Sequence, residues 1–377
     1  MTRTILDISI LQTLPPSNVN RDDTGSPKTA VYGGVRRARV SSQAWKRATR
    51  VAFKDLLDTS ELGMRTKRVV ELLAERIRLK TDEISPERAQ QLAGLAFAAA
   101  GIKLTAPRGS SKTNPLPEES GYLLFLSARQ LDRLADAAIE ADSTDDANAA
   151  LKAAGLKKAL DLDHSVDIAL FGRMVADATD LNVDAAAQVA HAISVHPVEN
   201  EFDYYTAVDD HKAEDDEEDA GAGMIGTVEF NSSTLYRYAT VDVDRLHANL
   251  GDAEATRRAV EAFLQAFARS LPSGKQNTFA NRTLPDAIVV SVRESQPVNL
   301  VGAFEEPIEG GSRLSAASRR LADHAEAIDE AYGTTPVAGW VVRATPSTVE
   351  LDRLGERLPL DAAVTAAGEF VGGRLGA

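Results

Sequence analysis

The sequence predicts an α+β protein built on a split βαβ sheet of the ferredoxin-like kind. Three observations point there. A strand–loop–helix pattern opens the chain, a strand–helix–strand pattern occupies residues 234–292, and a long Ala-rich helical stretch lies between them. The 377 residues are enough to bury a sizeable core. The 44% hydrophobic and 26% charged fractions are those of a soluble globular chain. No run approaches the roughly 20 apolar residues that span a bilayer. The N-terminus has no apolar segment followed by a small-residue cleavage site, so no signal peptide is read and a cytoplasmic location is expected.

The elements follow in order. In TILDISIL, Ile5, Asp7 and Ser9 alternate with Leu6, Ile8 and Ile10, a strand with at least one buried face that Pro15-Pro16 should end. The stretch to Gly34 is rich in Pro, Asn, Asp and Gly and reads as a loop, and VRRARV reads as a short strand. SSQAWKRATRVAFKDLLD is a helix capped by Ser41 or Ser42, with Trp45, Ala48, Ala52 and Leu56 as its apolar stripe. Lys46, Arg50 and Lys54 lie at i, i+4 and i+8 on another face, with Arg47 beside them. From about Glu61 to Asp184 the patterns are helical, including SPERAQQLAGLAFAAAG with Ser85-Pro86 at its start and YLLFLSARQLDRLADAAIEA. An acidic run and AGAGMIG then suggest an exposed excursion before the strand TLYRYATVDV. Asp252 caps the next helix, whose stripe is Val260, Phe263, Leu264, Phe267 and Leu271 and which Gly274 should close. AIVVSV is a buried strand, and a helix near Leu314–Tyr332 and the strand VAGWVVRA complete the reading.

Charge is unevenly distributed. The formal net charge is -14, yet residues 21–54 hold nine Lys or Arg against Asp22 and Asp23. Residues 199–219 hold eleven Asp or Glu against one Lys. Overall acidity argues against a simple phosphate binder, but the segregation leaves room for a local basic surface. Like charges at i, i+4 repel, and Lys46, Arg50 and Lys54 have only Asp55 and Asp58 near the helix end to relieve them. A solvated face explains this, and so does a bound polyanion. Ser41, Ser42 and Gln43 at the helix start add hydrogen-bonding groups where the amides and the dipole attract phosphate. Such contacts would position a strand without reading its bases.

The remaining motifs leave alternatives open. Gly274-Lys275-Gln276-Asn277 offers amides and a cation but lacks a P-loop pattern, and also suits a plain polar turn. Tyr236 and Tyr238 suit either base stacking or covering a core. Cysteine is absent, which removes disulfides, thiolate metal sites and Cys nucleophiles. The six His form no metal-binding spacing. Asp22-Asp23 and Asp209-Asp210 are carboxylate pairs able in principle to bind Mg²⁺, but adjacency does not make both face one site. No catalytic residue, metal or cofactor is expected.

Five ordered stretches carry a resemblance: NRDDTGSPKTAVYGGVRRARVSSQAWKRA, VDIALFGRM, HAISVHPVENEFDYYTAVDD, GTVEFNSSTLYRYA and SGKQNTFA. Together they resemble the CasC-type backbone subunits of the type I-E CRISPR surveillance complex, Cascade, in the RAMP superfamily. The resemblance covers residues 1–58 and 164–300 and fades over the helical stretch and beyond about 310. It implies an RNA-recognition-motif-like palm over 1–58 and 185–377, a helical fingers insertion over 59–184 and a thumb hairpin over about 201–230. Copies would assemble along one CRISPR guide RNA, displacing nucleotides at intervals, while base pairing with the target DNA strand reads sequence.

By position the resemblance implies guide contacts at Arg21, Lys28, Ser41, Gln43, Lys46, Arg50, Lys275 and Gln276. Arg173 and Met174 come from the GRM of VDIALFGRM, Met174 at the guide's kink, and Ile225 is the implied thumb wedge. Lys152, Lys157 and Lys158 are counterparts of finger lysines that bind DNA. The acidic run at Glu214–Asp219 departs from the pattern and is expected to be a solvent-facing insertion. The implied partners are guide RNA, target DNA, further copies of the chain, the large, small, guide-processing and 5′-end Cascade subunits, and a recruited helicase-nuclease, with no membrane. The rival reading is a metal-dependent endoribonuclease like type III backbone subunits, with Asp22 or Asp23 as the loop aspartate. A generic single-strand-binding protein is a third.

Overall fold

The computed structural model describes residues 3–111, 113, 116–175, 178–207 and 224–376. The chain divides into two compact units, one of residues 1–52, 188–243 and 260–375, the other chiefly of residues 53–187 and 244–259.

The first unit holds the main sheet. Its labelled strands are β1 (Ile5–Ser17), β2 (Thr29–Tyr32), β3 (Val35–Val40), β4 (Ala192–Ser194), β5 (Glu201–Ala207), β6 (Met224–Asp242), β7 (Ala287–Arg293), β8 (Ala338–Arg343) and β9 (Glu356–Arg357), and the short strand Ala187–Val189 also pairs with β6. The order is β9-β8-β7-β1-β6-β4-β3-β2, with β5 paired to β6 off that path. After β1 comes helix α1 (Ser42–Ala52), and after β6 comes the helix Ala253–Arg269, which leads to β7. The core is therefore βαββαβ with spatial order β7-β1-β6-β4, every neighbour antiparallel. This is the split βαβ arrangement expected from the sequence, and the fold is α+β.

β1 is buried on both faces because it lies between β6 and β7 and each face is covered. Register places Ile10 opposite Arg237, and Ser9 opposite Tyr238. The Arg237 face meets the helices, where Trp45 and Phe267 sit edge to face with centroids 6.3 Å apart. The other face carries Leu11, Tyr236 and Tyr238 under Leu300, Phe304, Leu321 and Leu351. Pro15-Pro16 does not end β1. The pairing shifts between Leu14 and Ser17, and the prolines are absorbed there as a bulge.

Two further expectations are corrected. The buried stripe of α1 is Trp45 and Thr49, continued by Phe53 in the following short turn, while Leu56 is exposed. The helix stops at Ala52, so Lys54 is not on it. Gly274 is not a helix cap: the helix ends at Arg269, and Gly274 lies against the backbone of Asn18 and Val19. An added Cβ would sit 2.4 Å from the Val19 carbonyl oxygen, so only glycine allows that approach.

The second unit is mainly helical, with Val69–Lys80, Pro86–Ala99, Ala128–Asp142 and Ala147–Ala153 packed through Leu73, Ile77, Leu92, Phe97, Leu134 and Leu151. Ser85 caps the second of these by accepting from the Arg88 amide, with Pro86 in the first turn. The run LFLS (Leu124–Ser127) is not the start of a helix but a buried strand paired with Gly63–Thr66. Its last residue forms a capping box with Gln130, and the helix starts after it. Among the described residues no helix is long and apolar enough to cross a membrane.

Candidate nucleic-acid interface

Three sequence-distant segments line one groove of about 950 Å³ in the first unit: the loop 19–25, one face of α1 with its cap, and 271–276. Each is held by identifiable bonds. Asn18 is buried and donates its amide to the carbonyls of Gly25 (3.0 Å) and Glu229 (2.9 Å). Asp22 Oδ1 accepts from the Thr24 hydroxyl (2.7 Å), the Thr24 amide (2.9 Å) and the Ser26 amide (3.1 Å). These bonds, the Thr24 hydroxyl first, hold its carboxyl below the usual range. Asn20 ties loop to helix, its Oδ1 accepting from the Ser41 amide at 2.8 Å. Ser41 is the N-cap, its Oγ accepting from the Ala44 amide at 3.3 Å.

α1 is seated from below by an unusual core residue. The Arg237 guanidinium lies 3.7 Å from the Trp45 ring centroid and 4.5 Å from that of Phe267, in cation–π geometry. It donates to Gln12 Oε1 at 2.6 Å and to the Phe267 carbonyl. No carboxylate pairs with it among the described residues, and burial lowers its pKa to about 9. A flat cation stacked between two rings fixes the roll of α1, and with it the face presented to the groove.

That face is Gln43, Ala44, Arg47, Ala48 and Val51. The groove thus gathers Arg21, Ser41, Gln43 and Gln276 of the expected contacts and adds Asn20 and Arg47. Ser41 is 5% exposed and its Oγ serves as the cap, so it shapes the site from beneath. Lys28, Lys46 and Arg50 do not line the groove; all three are half-buried, and burial lowers the Lys46 pKa. Lys275 sits between the groove residues Gly274 and Gln276, with a left-handed φ of 46°. Sequence reasoning noticed Arg47 but selected the i, i+4 series beside it. The burial of Trp45 and Thr49 turns Arg47 toward the groove, and of these two only Trp45 was a signal in the sequence. Arg21 and Arg47 have no ion-pair partner among the described residues. They face Asp22 and Asp23, so the lining is formally neutral, and any anion held here is held by donor geometry more than by bulk charge.

Tyr236 and Tyr238 are not a stacking platform. They are 2% and 6% exposed. Tyr236 packs on Phe304 at 5.2 Å, and the Tyr238 hydroxyl donates to Asp7 at 2.7 Å. The sheet face that such aromatics would offer to bases is covered by residues 300–354.

In the second unit Arg173 is corrected from RNA contact to structural residue: it is 5% exposed. Its guanidinium donates to the carbonyls of Leu160 (2.7 Å) and Leu181 (2.8 Å), with longer bonds to Phe125 and Gln130. Burial lowers its pKa to about 10. Met174 beside it is 83% exposed. Lys152, Lys157 and Lys158 are exposed on their helix turns, and Lys157 pairs with Asp180 at 2.5 Å. β5 and β6 form two antiparallel arms in which Ile225 is opposite Thr206. The Ile225 side chain, the Asp209-Asp210 pair and the run Glu214–Asp219 lie outside the described residues. Among the described residues no group of three or more His, Asp or Glu could hold a metal ion.

A family described as CT1975-like protein matches residues 6–366. The chain belongs to that family. No curated protein matches it. Among solved structures, a chain of a CRISPR RNA-guided surveillance complex described as pre-nicking is 36% identical, with TM-score 0.82 over 96% of this chain and 100% of that one. A chain of another CRISPR RNA-guided surveillance complex is 32% identical, with TM-score 0.72 over 96% and 99%. The α+β fold is shared with these two chains.

Proposed function

We propose that this CT1975-like chain is a backbone subunit of a CRISPR RNA-guided surveillance complex of the Cascade kind, of type I-E, and that it holds guide RNA by the sugar-phosphate backbone. The observation that carries this is the groove, in which Arg21, Gln43, Arg47 and Gln276 converge from three segments on the capped start of a helix. Capped helix starts and convergent arginines suit phosphate oxygens and leave base edges free. The likeness to chains of two surveillance complexes supports the same reading. In it, specificity belongs to base pairing, and any guide sequence is accepted. Kinked guide segments are presented to the target DNA strand, the other Cascade subunits complete the particle, and a separate helicase-nuclease destroys the DNA in the cytoplasm. Met174 and Ile225 act as the apolar contacts at the kink, and Lys152, Lys157 and Lys158 as DNA contacts.

The test is co-expression with a CRISPR array, followed by the absorbance ratio and mass of the purified particle. Guide RNA co-purifies with the native chain, and replacing Arg21 and Arg47 together by Glu abolishes that. Unchanged RNA occupancy in the double variant sinks the assigned groove.

One observation favours a second reading. Asp22 and Asp23 both line the groove, where a metal-dependent ribonuclease would need carboxylates. Against it, Asp22 Oδ1 is engaged by the loop's own donors. We assign the subunit no catalysis. Incubating the particle with complementary RNA and Mg²⁺ leaves that RNA intact; cleavage that disappears in Asp23→Ala would reverse the assignment.

A further inference from the structure

The segment around Met174 is built in an unusual way. Met174 is 83% exposed, while its neighbours Arg173 and Val175 are 5% and 0% exposed. One apolar side chain is thus held outward between two buried ones. The backbone on either side is pinned. Arg173 and Val183 exchange both backbone hydrogen bonds, at 3.0 and 2.9 Å. The Val175 amide donates to Asn182 Oδ1 at 2.6 Å. Gly172 has φ +78°, and an added Cβ would stand 2.7 Å from the Val183 carbonyl oxygen. The Arg173 guanidinium then reaches inward and joins two separate stretches of chain, through the carbonyls of Leu160 and Leu181.

The hydrogen bonds of this cation go to uncharged acceptors, and Asp161 acts on it only through space. A buried arginine without a carboxylate hydrogen-bonded to it is a costly way to fill space, whereas its planar fork can lock two carbonyls at fixed angles. A methionine on a loose loop samples many rotamers and backbone states. A methionine on a locked bridge starts from one fixed backbone position, and its adaptable side chain offers polarizable sulfur and methyl to the face of a nucleobase.

We propose that Arg173 is the positioning residue for Met174, fixing the backbone from which its thioether reaches an unstacked nucleobase of the bound guide. This rests on the guide-binding reading above. Arg173 touches no RNA itself and acts only through the geometry of residues 172–175.

The experiment uses the particle purified with a guide carrying 2-aminopurine at successive positions, whose fluorescence rises where a base is unstacked. In the native particle one position per subunit is bright. Arg173→Lys keeps the charge but not the fork, and is expected to lower that signal several-fold, as Met174→Ala does, with RNA occupancy unchanged. The double variant lowers it no further, because both changes break one contact; Met174→Leu keeps it. If Arg173→Lys melts the second unit, Asn182→Ala loosens the same bridge by removing the Val175 acceptor and is expected to give the same loss. A full signal in Arg173→Lys or Asn182→Ala with Met174→Ala dark, an additive double variant, or no dependence on Met174 each overturns the proposal. Absence of guide RNA from the native particle would instead overturn the guide-binding reading.

Discussion

Arg47 shows what a single residue's surroundings decide. Its charge and its helix were legible in the sequence, and so was the buried Trp45. What fixed its direction was not: Thr49, a polar residue, takes the buried position where an apolar pattern pointed to Ala48. A threonine methyl can pack while its hydroxyl finds a partner, here Ser270 at 3.5 Å, so burial passed through a residue that a hydrophobicity pattern scores as polar. The same blind spot hid the burial of Arg173, expected as an RNA contact, and of Arg237, for which no role was read; both are buried with carbonyls among their acceptors. Ser41, by contrast, was legible as a cap because a serine before an apolar stripe has one strong reason to be there. At this scale the expected effect of Arg47→Ala is a loss of one phosphate contact. RNA affinity falls about tenfold, and the slope of log affinity against log salt decreases by about 0.7, the value for one single-strand contact. A salt titration by fluorescence anisotropy on assembled particles checks both numbers. An unchanged slope would remove Arg47 from the interface.

Elements were more legible than residues where period and caps agreed. β1, β7 and the helix Ala253–Arg269 stand where alternation, a mostly apolar run and Asp252 put them, with the Ala255 amide on Asp252 Oδ1 at 2.6 Å. Leu124–Ser127 was missed because four buried residues have no period, and only the Ser127–Gln130 capping box marks where helix begins. The helix Leu360–Leu375 was not read at all; its Ala and Gly residues permit close packing, with Gly368 against Glu261, but give no stripe. The groove depends on such a close approach between elements. Gly274→Ala sets a methyl against the backbone of Asn18 and Val19, and overpacking of this kind costs about 1–3 kcal/mol. Moving the 271–276 loop aside relieves it, so the variant is expected to lose guide RNA more than it loses melting temperature. A native-like RNA content would show that the loop is not part of the interface. His196 supplies a second prediction at this scale. It is 3% exposed, its Nε2 accepts from the Thr234 amide at 3.1 Å, and Nδ1 donates to the Pro197 carbonyl. Burial, with Arg313 and Arg37 nearby, holds its pKa below the ordinary value despite that carbonyl. The folded chain therefore stays unprotonated there while the unfolded chain takes up a proton below about pH 6.5. Stability is present above that pH and falls as pH decreases through it, by at most about 1.4 kcal/mol per pH unit for this one group. Denaturant melts between pH 7.5 and 5.5 should show the slope, and His196→Gln should flatten it; equal slopes would assign the pH dependence to other groups.

For the whole molecule the instructive quantity is charge. A chain of net charge -14 is a poor general partner for RNA, and the groove itself is formally neutral. Binding of an isolated chain to arbitrary RNA should therefore be weak, and in the proposed assembly affinity would come from repetition, each copy adding a few positioned contacts along a continuous strand. A head-to-tail contact between identical copies that does not close gives a helical filament, and in the proposed assembly the guide would set where it stops. This leads to an outcome that a generic single-strand binder would not share. If every copy covers a fixed number of nucleotides, particles purified with guides lengthened one nucleotide at a time keep the same mass over several steps and then gain one whole subunit. A binder without register adds protein gradually, as a distribution of masses that shifts with length. Native mass spectrometry across a series of guides separates the two. Plateaus broken by single-subunit jumps are the expected result, and a smooth drift, or a mass indifferent to guide length, would take away the backbone role while leaving the groove and its RNA contacts in place.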